Sequence, residues 1–222
     1  MISKTLYDHY FSSLIAGDRG ACSKIVQDLL DQGIDIKDLY RHLFQATLYQ
    51  VGALWEVNQL SVAKEHLATA ITESLLNLVY PFLFKKRLTS KKAIISCTAN
   101  EHHQIGGKMV ADILEMNGWD SYFLGANTPI DEMLTFIHEI KPDLVGLSLS
   151  IGFNAPQLIQ SVKSIRENFP QLDIILGGQG FCGDKPASLK AFKHLYYIGS
   201  LDELEAETWS RANEYRKETH PA

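Results

Sequence analysis

Ten residues, Thr98 to Gly107 (TANEHHQIGG), place two adjacent imidazoles and a carboxylate directly after a short apolar run. A histidine that ligates a metal commonly gives its second ring nitrogen to a carboxylate, which fixes the tautomer and raises the basicity of the other nitrogen. Glu101 and His103 have the spacing for that pair, and His102 competes as a ligand on proximity. Taken alone, the two histidines are equally read as solvated residues before a helix. The loop is not a phosphate cradle, because it lacks GxGxxG and no lysine follows its glycines. A second cluster lies upstream, where Trp55 is followed by the adjacent pair Glu65-His66. An indole offers a broad apolar face, and a carboxylate beside an imidazole offers hydrogen bonds to hydroxyls or ring nitrogens. Without further context, this cluster reads as a core tryptophan and a solvated helix face.

Positioning these groups requires two kinds of element. Residues 4–85 read as helix throughout. Tyr7, Tyr10, Phe11, Leu14 and Ile15 recur at three- and four-residue steps, and Gly17-Asp18 interrupts them. A second helix runs from Ala21 to Leu30. Asp35 or Asp38 can cap a third that runs towards Trp55, and Ser61 can cap a fourth, which Pro81 kinks or ends. One uninterrupted helix would hold Trp55 and His66 about 16 Å apart along its axis. Asn58 and Ser61 are turn and cap formers, so a hairpin that folds the two together is expected instead. Four helices with short connections predict a bundle.

Beyond residue 92 the period changes. Short apolar runs at Ala93–Cys97, Ser121–Leu124, Leu144–Ser148, Ile174–Leu176 and Leu195–Ile198 alternate with helices near Gly106–Asn117, Asp131–Ile140, Gln157–Asn168, Ala187–Phe192 and Leu201–Arg216. This alternation predicts an open, five-stranded parallel sheet covered on both faces, with the ligand crevice beyond the strand C-termini. Ser148 and Ser150 are small residues in the third apolar run, behind Gly146. Gly177-Gly178-Gln179-Gly180 follows the fourth and removes side chains from the same crevice.

Composition narrows the function classes. A net charge of −5, with 45% apolar and 21% charged residues, gives a soluble chain without the basic footprint of a nucleic-acid binder. No run reaches the roughly 20 apolar residues that span a bilayer, and the N-terminus has no secretory pattern. The odd set Cys22, Cys97 and Cys182 has no CxxC pair and points to a reducing, cytoplasmic setting. No nucleophile–base pair stands out, so a self-contained enzyme is not expected.

The spacings are more specific than the single residues. His103-x-x-Gly106 is followed by 41 residues and Ser148-x-Ser150, then by 26 residues and Gly177-Gly178. This pattern resembles the cobalamin-binding fold of methionine synthase, the mutases and corrinoid methyl carriers, whose motif reads D-x-H-x-x-G, S-x-L, G-G. Here Glu101 stands where Asp is commoner and Ser150 where Leu is usual. The resemblance implies a Rossmann-like (flavodoxin-like) domain over 92–217, with His103 as the lower axial cobalt ligand and Glu101 as its hydrogen-bond partner. Gly106, Ser148, Ser150, Gly177 and Gly178 would then border the cofactor and its displaced nucleotide tail. The helical bundle, 1–86, would cover the upper face of the cofactor, with 87–91 as linker.

Upstream, the spacing W-x9-E-H, together with Gly52-Ala53-Leu54-Trp55 and Val62–Thr69, resembles the adenosylcobalamin photoreceptors of the CarH/LitR type. By that resemblance Trp55, Glu65 and His66 would enclose the adenosyl group in the dark, and light would break the cobalt–carbon bond and change bundle conformation, assembly or partner binding. Two departures shape the expectation. Those regulators begin with a MerR-type winged helix-turn-helix, whereas here the bundle starts almost at Met1, so a protein partner or self-association is expected in place of direct DNA contact. Their residue after the tryptophan is a cobalt-capturing histidine, and here it is Glu56. The alternatives are a methylcobalamin carrier for a methyltransferase, and a B12-binding antirepressor without photochemistry.

Overall fold

The computed structural model describes residues 2–83, 90–181, 186–189 and 191–207. The chain divides into two compact units, Met1–Phe84 and Lys85–Ala222.

The first unit is the expected helical bundle. Helix α1 (Lys4–Ala16) is capped by Ser3, whose hydroxyl accepts from Leu6 N–H, and it stops at left-handed Gly17. Asp18 caps α2 (Arg19–Asp31) and Asp35 caps α3 (Ile36–Leu39). The third helix departs from simple expectation. A π-helical stretch, Tyr40–Gln45, joins α3 to α4 (Ala46–Glu56). Tyr40 and Phe44, both in this stretch, are fully buried with their rings 5.9 Å apart. Helix α5 (Val62–Val79) packs against α1, α2 and α4, and Pro81 lies in the 3-10 turn Tyr80–Phe82 that follows it. Tyr10, Leu14, Val26, Phe44 and Leu76 form the centre of this core.

The second unit is a five-stranded parallel sheet in the order β2-β1-β3-β4-β5. Its strands are β1 (Lys92–Cys97), β2 (Asp120–Gly125), β3 (Leu144–Ser148), β4 (Asp173–Gly177) and β5 (Leu195–Tyr197). Helix α6 (Ile105–Met116) covers the face that carries Ile95 and Phe123. Helices α7 (Ile130–Ile140) and α8 (Ala155–Asn168) bury Ile137, Leu158 and Val162 against Ile94, Val145 and Ile174 on the other face. The order reverses between β1 and β3, so the loops leaving those two strands diverge there. That is where open α/β sheets hold ligands.

Two expectations need correction or limits. The segment read as a helix near Ala187–Phe192 is only a 3-10 turn, Ala187–Leu189, too short to build a repeating apolar face. The last helix is seen over 201–207, and the remainder to Arg216 lies outside the described residues, as do Cys182 and most of the expected linker. Among the described residues no helix is long and apolar enough to cross a membrane.

Candidate functional site

At the mouth of the sheet, Cys97, Ser148 and Gly177 lie side by side on adjacent strands, so three C-terminal ends stop at one level. Thr98 N–H donates to Ser148 O at 3.0 Å and Leu149 N–H to Gly177 O at 2.9 Å, which carries the registration one residue past the strands. The loop after β1 then rises over this edge. Asn100 takes the left-handed conformation, and its N–H donates to Asn127 Oδ1 at 2.9 Å.

Glu101 is fully buried and accepts on both oxygens. Its Oε1 accepts from His103 N–H at 3.0 Å and meets the ring Nδ1 of His103 at 2.6 Å. Its Oε2 accepts from the N–H groups of Ser150 and Ile151, both at 3.0 Å, and from Asn154 Nδ2 at 3.4 Å. Burial pushes this carboxyl up. The His103 ring and the N–H groups of His103, Ile151 and Ser150 outweigh it and hold the pKa at about 2. An ionised Glu101 favours a proton on the Nδ1 that faces it. The His103 side chain is 39% exposed, whereas His102 faces solvent. The pair is thus built around His103, at the end of the loop that leads into α6.

Sequence reasoning missed the rest of this clamp. Ser150 stands two residues beyond β3 rather than within the strand, and it contributes a backbone N–H. Asn154 is buried and also donates to Asn100 O at 3.3 Å, so one amide spans both diverging loops. Backbone donors carry no residue-type signal. The only cue at Asn154 was a cap-forming residue type ahead of α8.

The small residues separate into packing and opening. A Cβ on Gly146 would lie 2.5 Å from Ile95 Cδ1, so side chains of the neighbouring strands fill that space. Gly178 has φ +108°, and a Cβ there would come 2.2 Å from Leu149 O; on Gly177 it would meet Ile198 O at 3.2 Å. These two glycines therefore admit protein backbone. Gly107 lets α6 approach Phe123, Cys97 and Ser148. Gly106 differs, being exposed, and the nearest atom to a Cβ there is Ser148 Oγ at 4.0 Å. An imidazole with a fixed tautomer beside this opening suits a metal that arrives with its equatorial ligands in place, which a corrin provides.

In the first unit, Trp55 lies in the last turn of α4 and Glu65 in the first turn of α5. Between them, Asn58 adopts φ +57° and Gln59 and Leu60 both donate to Leu54 O, closing the hairpin. Ser61 caps α5 as expected. Glu65 Oε2 pairs with His66 Nδ1, and Glu65 Oε1 accepts from Thr69 Oγ1 at 3.0 Å. The glutamate side chain is 14% exposed and the imidazole 72%. Trp55 is 38% exposed, so it is not the core residue its type alone suggests.

Comparisons with known proteins identify the family. Two family models, both described as B12 binding domains, match residues 91–202 and 6–80. The HTH-type transcriptional repressor CarA of Myxococcus xanthus is 33% identical over 68% of this chain and 48% of its own, so the chain spans about half the length of that relative. Trimethylamine corrinoid protein 1 of Methanosarcina acetivorans is 23% identical over 68% of this chain and 71% of its own. The solved monomethylamine corrinoid protein of Methanosarcina barkeri shares the fold, with a TM-score of 0.81 over 94% of this chain and 99% of that one at 13% identity. With a family model matching more than half its length, the chain belongs to the B12-binding domain family.

Proposed function

We propose that this cobalamin-binding chain is an adenosylcobalamin-dependent light sensor whose output is a change in assembly or in contact with a partner protein such as a transcription regulator. The observation that carries the reading is the end of the α4–α5 hairpin, where exposed Trp55 and the Glu65–His66 pair flank one turn. An indole face suits an adenine ring, and a carboxylate–imidazole pair suits ribose hydroxyls. The bundle is proposed to cover the upper side of the cofactor. The greater similarity to the transcriptional repressor CarA than to the corrinoid carriers supports a regulatory output.

In this proposal His103 ligates the lower face of cobalt through Nε2, and Glu101 holds its Nδ1. Gly106 and Ser148 border the opening, with Ser150, Gly177 and Gly178 shaping its backbone walls beside the nucleotide tail. The cofactor supplies one property, a cobalt–carbon bond that visible light cleaves. Glu56 follows Trp55 and offers a carboxylate where an imidazole would capture cobalt. The chain itself is assigned no catalysis, no direct nucleic-acid contact and a cytoplasmic place of action.

The test is to load the protein with adenosylcobalamin in darkness and to record its absorbance and hydrodynamic size before and after green light. A spectrum and a size that both change support the sensor. An unchanged spectrum rejects light sensing and leaves the B12-binding antirepressor. The fold shared with the monomethylamine corrinoid protein favours a second reading, a carrier of the methyl form. Preferential retention of methylcobalamin over adenosylcobalamin would select it.

A further inference from the structure

Cys97 is the last residue of β1, a fully buried free thiol that takes no part in the hydrogen bonds to Glu101. Its side chain lies on the face covered by α6. A Cβ on Gly107 would stand 3.6 Å from Cys97 Sγ, so the sulfur sits under the first turn of that helix. From there the thiol donates to the backbone carbonyl of His103 at 3.7 Å. A buried cysteine commonly serves as a small apolar residue with a weak donor. Packing alone accounts for the burial here but not for a donor that meets the carbonyl of His103. That residue is thereby held at three points. Its N–H and ring Nδ1 meet Glu101 Oε1, and its carbonyl accepts from Cys97. Glu101 belongs to the same loop as His103, whereas Cys97 belongs to a strand paired with Ser148 of β3.

We infer that Cys97 is a positioning residue for the axial ligand, its thiol anchoring the His103 carbonyl to the end of β1 and so setting where the imidazole stands. The inference rests on the reading of His103 as the cobalt ligand. Two of the three holds on His103 converge on one carboxylate oxygen, and a residue tied to a single atom can still pivot about it. A third hold, away from that atom, removes the pivot. An S–H···O bond is weak, so losing it costs the fold little. Metal ligation is more sensitive, because groups behind a ligand act by orienting it. The thiol therefore matters to ligation through His103 and has no effect once the imidazole is gone.

The experiment measures the dissociation constant of cobinamide, a corrinoid without a nucleotide tail, for the full chain and its variants by absorbance. Urea unfolding of the cofactor-free proteins checks that each variant folds. Cys97→Ala is expected to raise the constant by about two- to fivefold, the equivalent of one weak hydrogen bond. Cys97→Ser, which keeps a donor on a shorter arm, is expected to recover part of that loss. In a His103→Ala background, Cys97→Ala is expected to change nothing further, because its effect passes through the imidazole. An unchanged constant in Cys97→Ala overturns the positioning role. So does an equal loss in the His103→Ala background, which would make the thiol a packing group alone. Wild-type protein that takes up no cobinamide overturns the cobalamin site as well, which separates that failure from failure of the positioning role alone.

Discussion

Glu101 Oε1 holds His103 twice, by the backbone N–H at 3.0 Å and by ring Nδ1 at 2.6 Å. One oxygen thereby fixes both the position of the residue and the tautomer of its ring. The other oxygen ties the same carboxylate to a loop about fifty residues later.

Replacing Glu101 by Gln keeps the length of the arm and removes the charge. Loss of such a partner typically weakens metal ligation by about 10- to 100-fold. The cobalamin-loaded variant is expected to show partial loss of the histidine-ligated absorbance, and His103→Ala complete loss. Identical spectra for His103→Ala and wild type would falsify the ligand assignment.

Asn154→Ala removes two long hydrogen bonds, at 3.3 and 3.4 Å, and is expected to destabilise the cofactor-free protein by about 1 kcal/mol in urea unfolding. Combined with Glu101→Gln, the loss should be less than additive, because both changes act on one network.

The pKa of Glu101 near 2, against an ordinary 4.5, sets a pH dependence. A depressed folded value means that the unfolded chain binds its proton first as pH falls. The contribution is full above about pH 4.5 and is lost as pH falls towards 2. Its size is on the order of 3 kcal/mol. Acid unfolding of the cofactor-free protein should accordingly be shallower in Glu101→Gln than in wild type over that window.

Two glycine substitutions should separate packing from ligand space. Gly178→Ala drives a Cβ against Leu149 O at a positive φ, and a loss above about 2 kcal/mol is expected from thermal or urea unfolding. Gly106→Ala meets only Ser148 Oγ and should leave stability unchanged or slightly raised. If the cofactor approaches there, its uptake measured by absorbance falls while the fold persists.

Trp55→Ala at the hairpin end is expected to lower affinity for adenosylcobalamin more than for methylcobalamin, since only the former presents an adenine ring. Equal losses for both would remove Trp55 from recognition of the adenosyl group.

Much of the architecture was legible because its signals are local. The shift from helical to strand period near residue 92, the caps at Asp35 and Ser61, and the turn at Asn58 each depend on a few neighbouring residues. The Glu101–His103 pair is local too, two residues apart. Asn154 and the N–H groups of Ser150 and Ile151 were not legible, because their roles depend on strand order and on backbone groups common to nearly every residue type. The glycines were legible only in part. At Gly177 and Gly178 an added Cβ would meet the Ile198 and Leu149 carbonyls, a requirement of the fold that stands beside the expected ligand role. The π turn at Tyr40–Gln45 was hidden as well, since its residues are ordinary helix residues.

The clamp on Glu101 also has a consequence for biosynthesis. Glu101 and His103 leave the ribosome well before Ser150, Ile151 and Asn154, and until those arrive the carboxylate has only one side of its support. The bonds to Oε2 form only when β3 pairs with β1 and brings its loop across. The complete clamp is therefore a property of the assembled sheet and not of the loop that carries the imidazole.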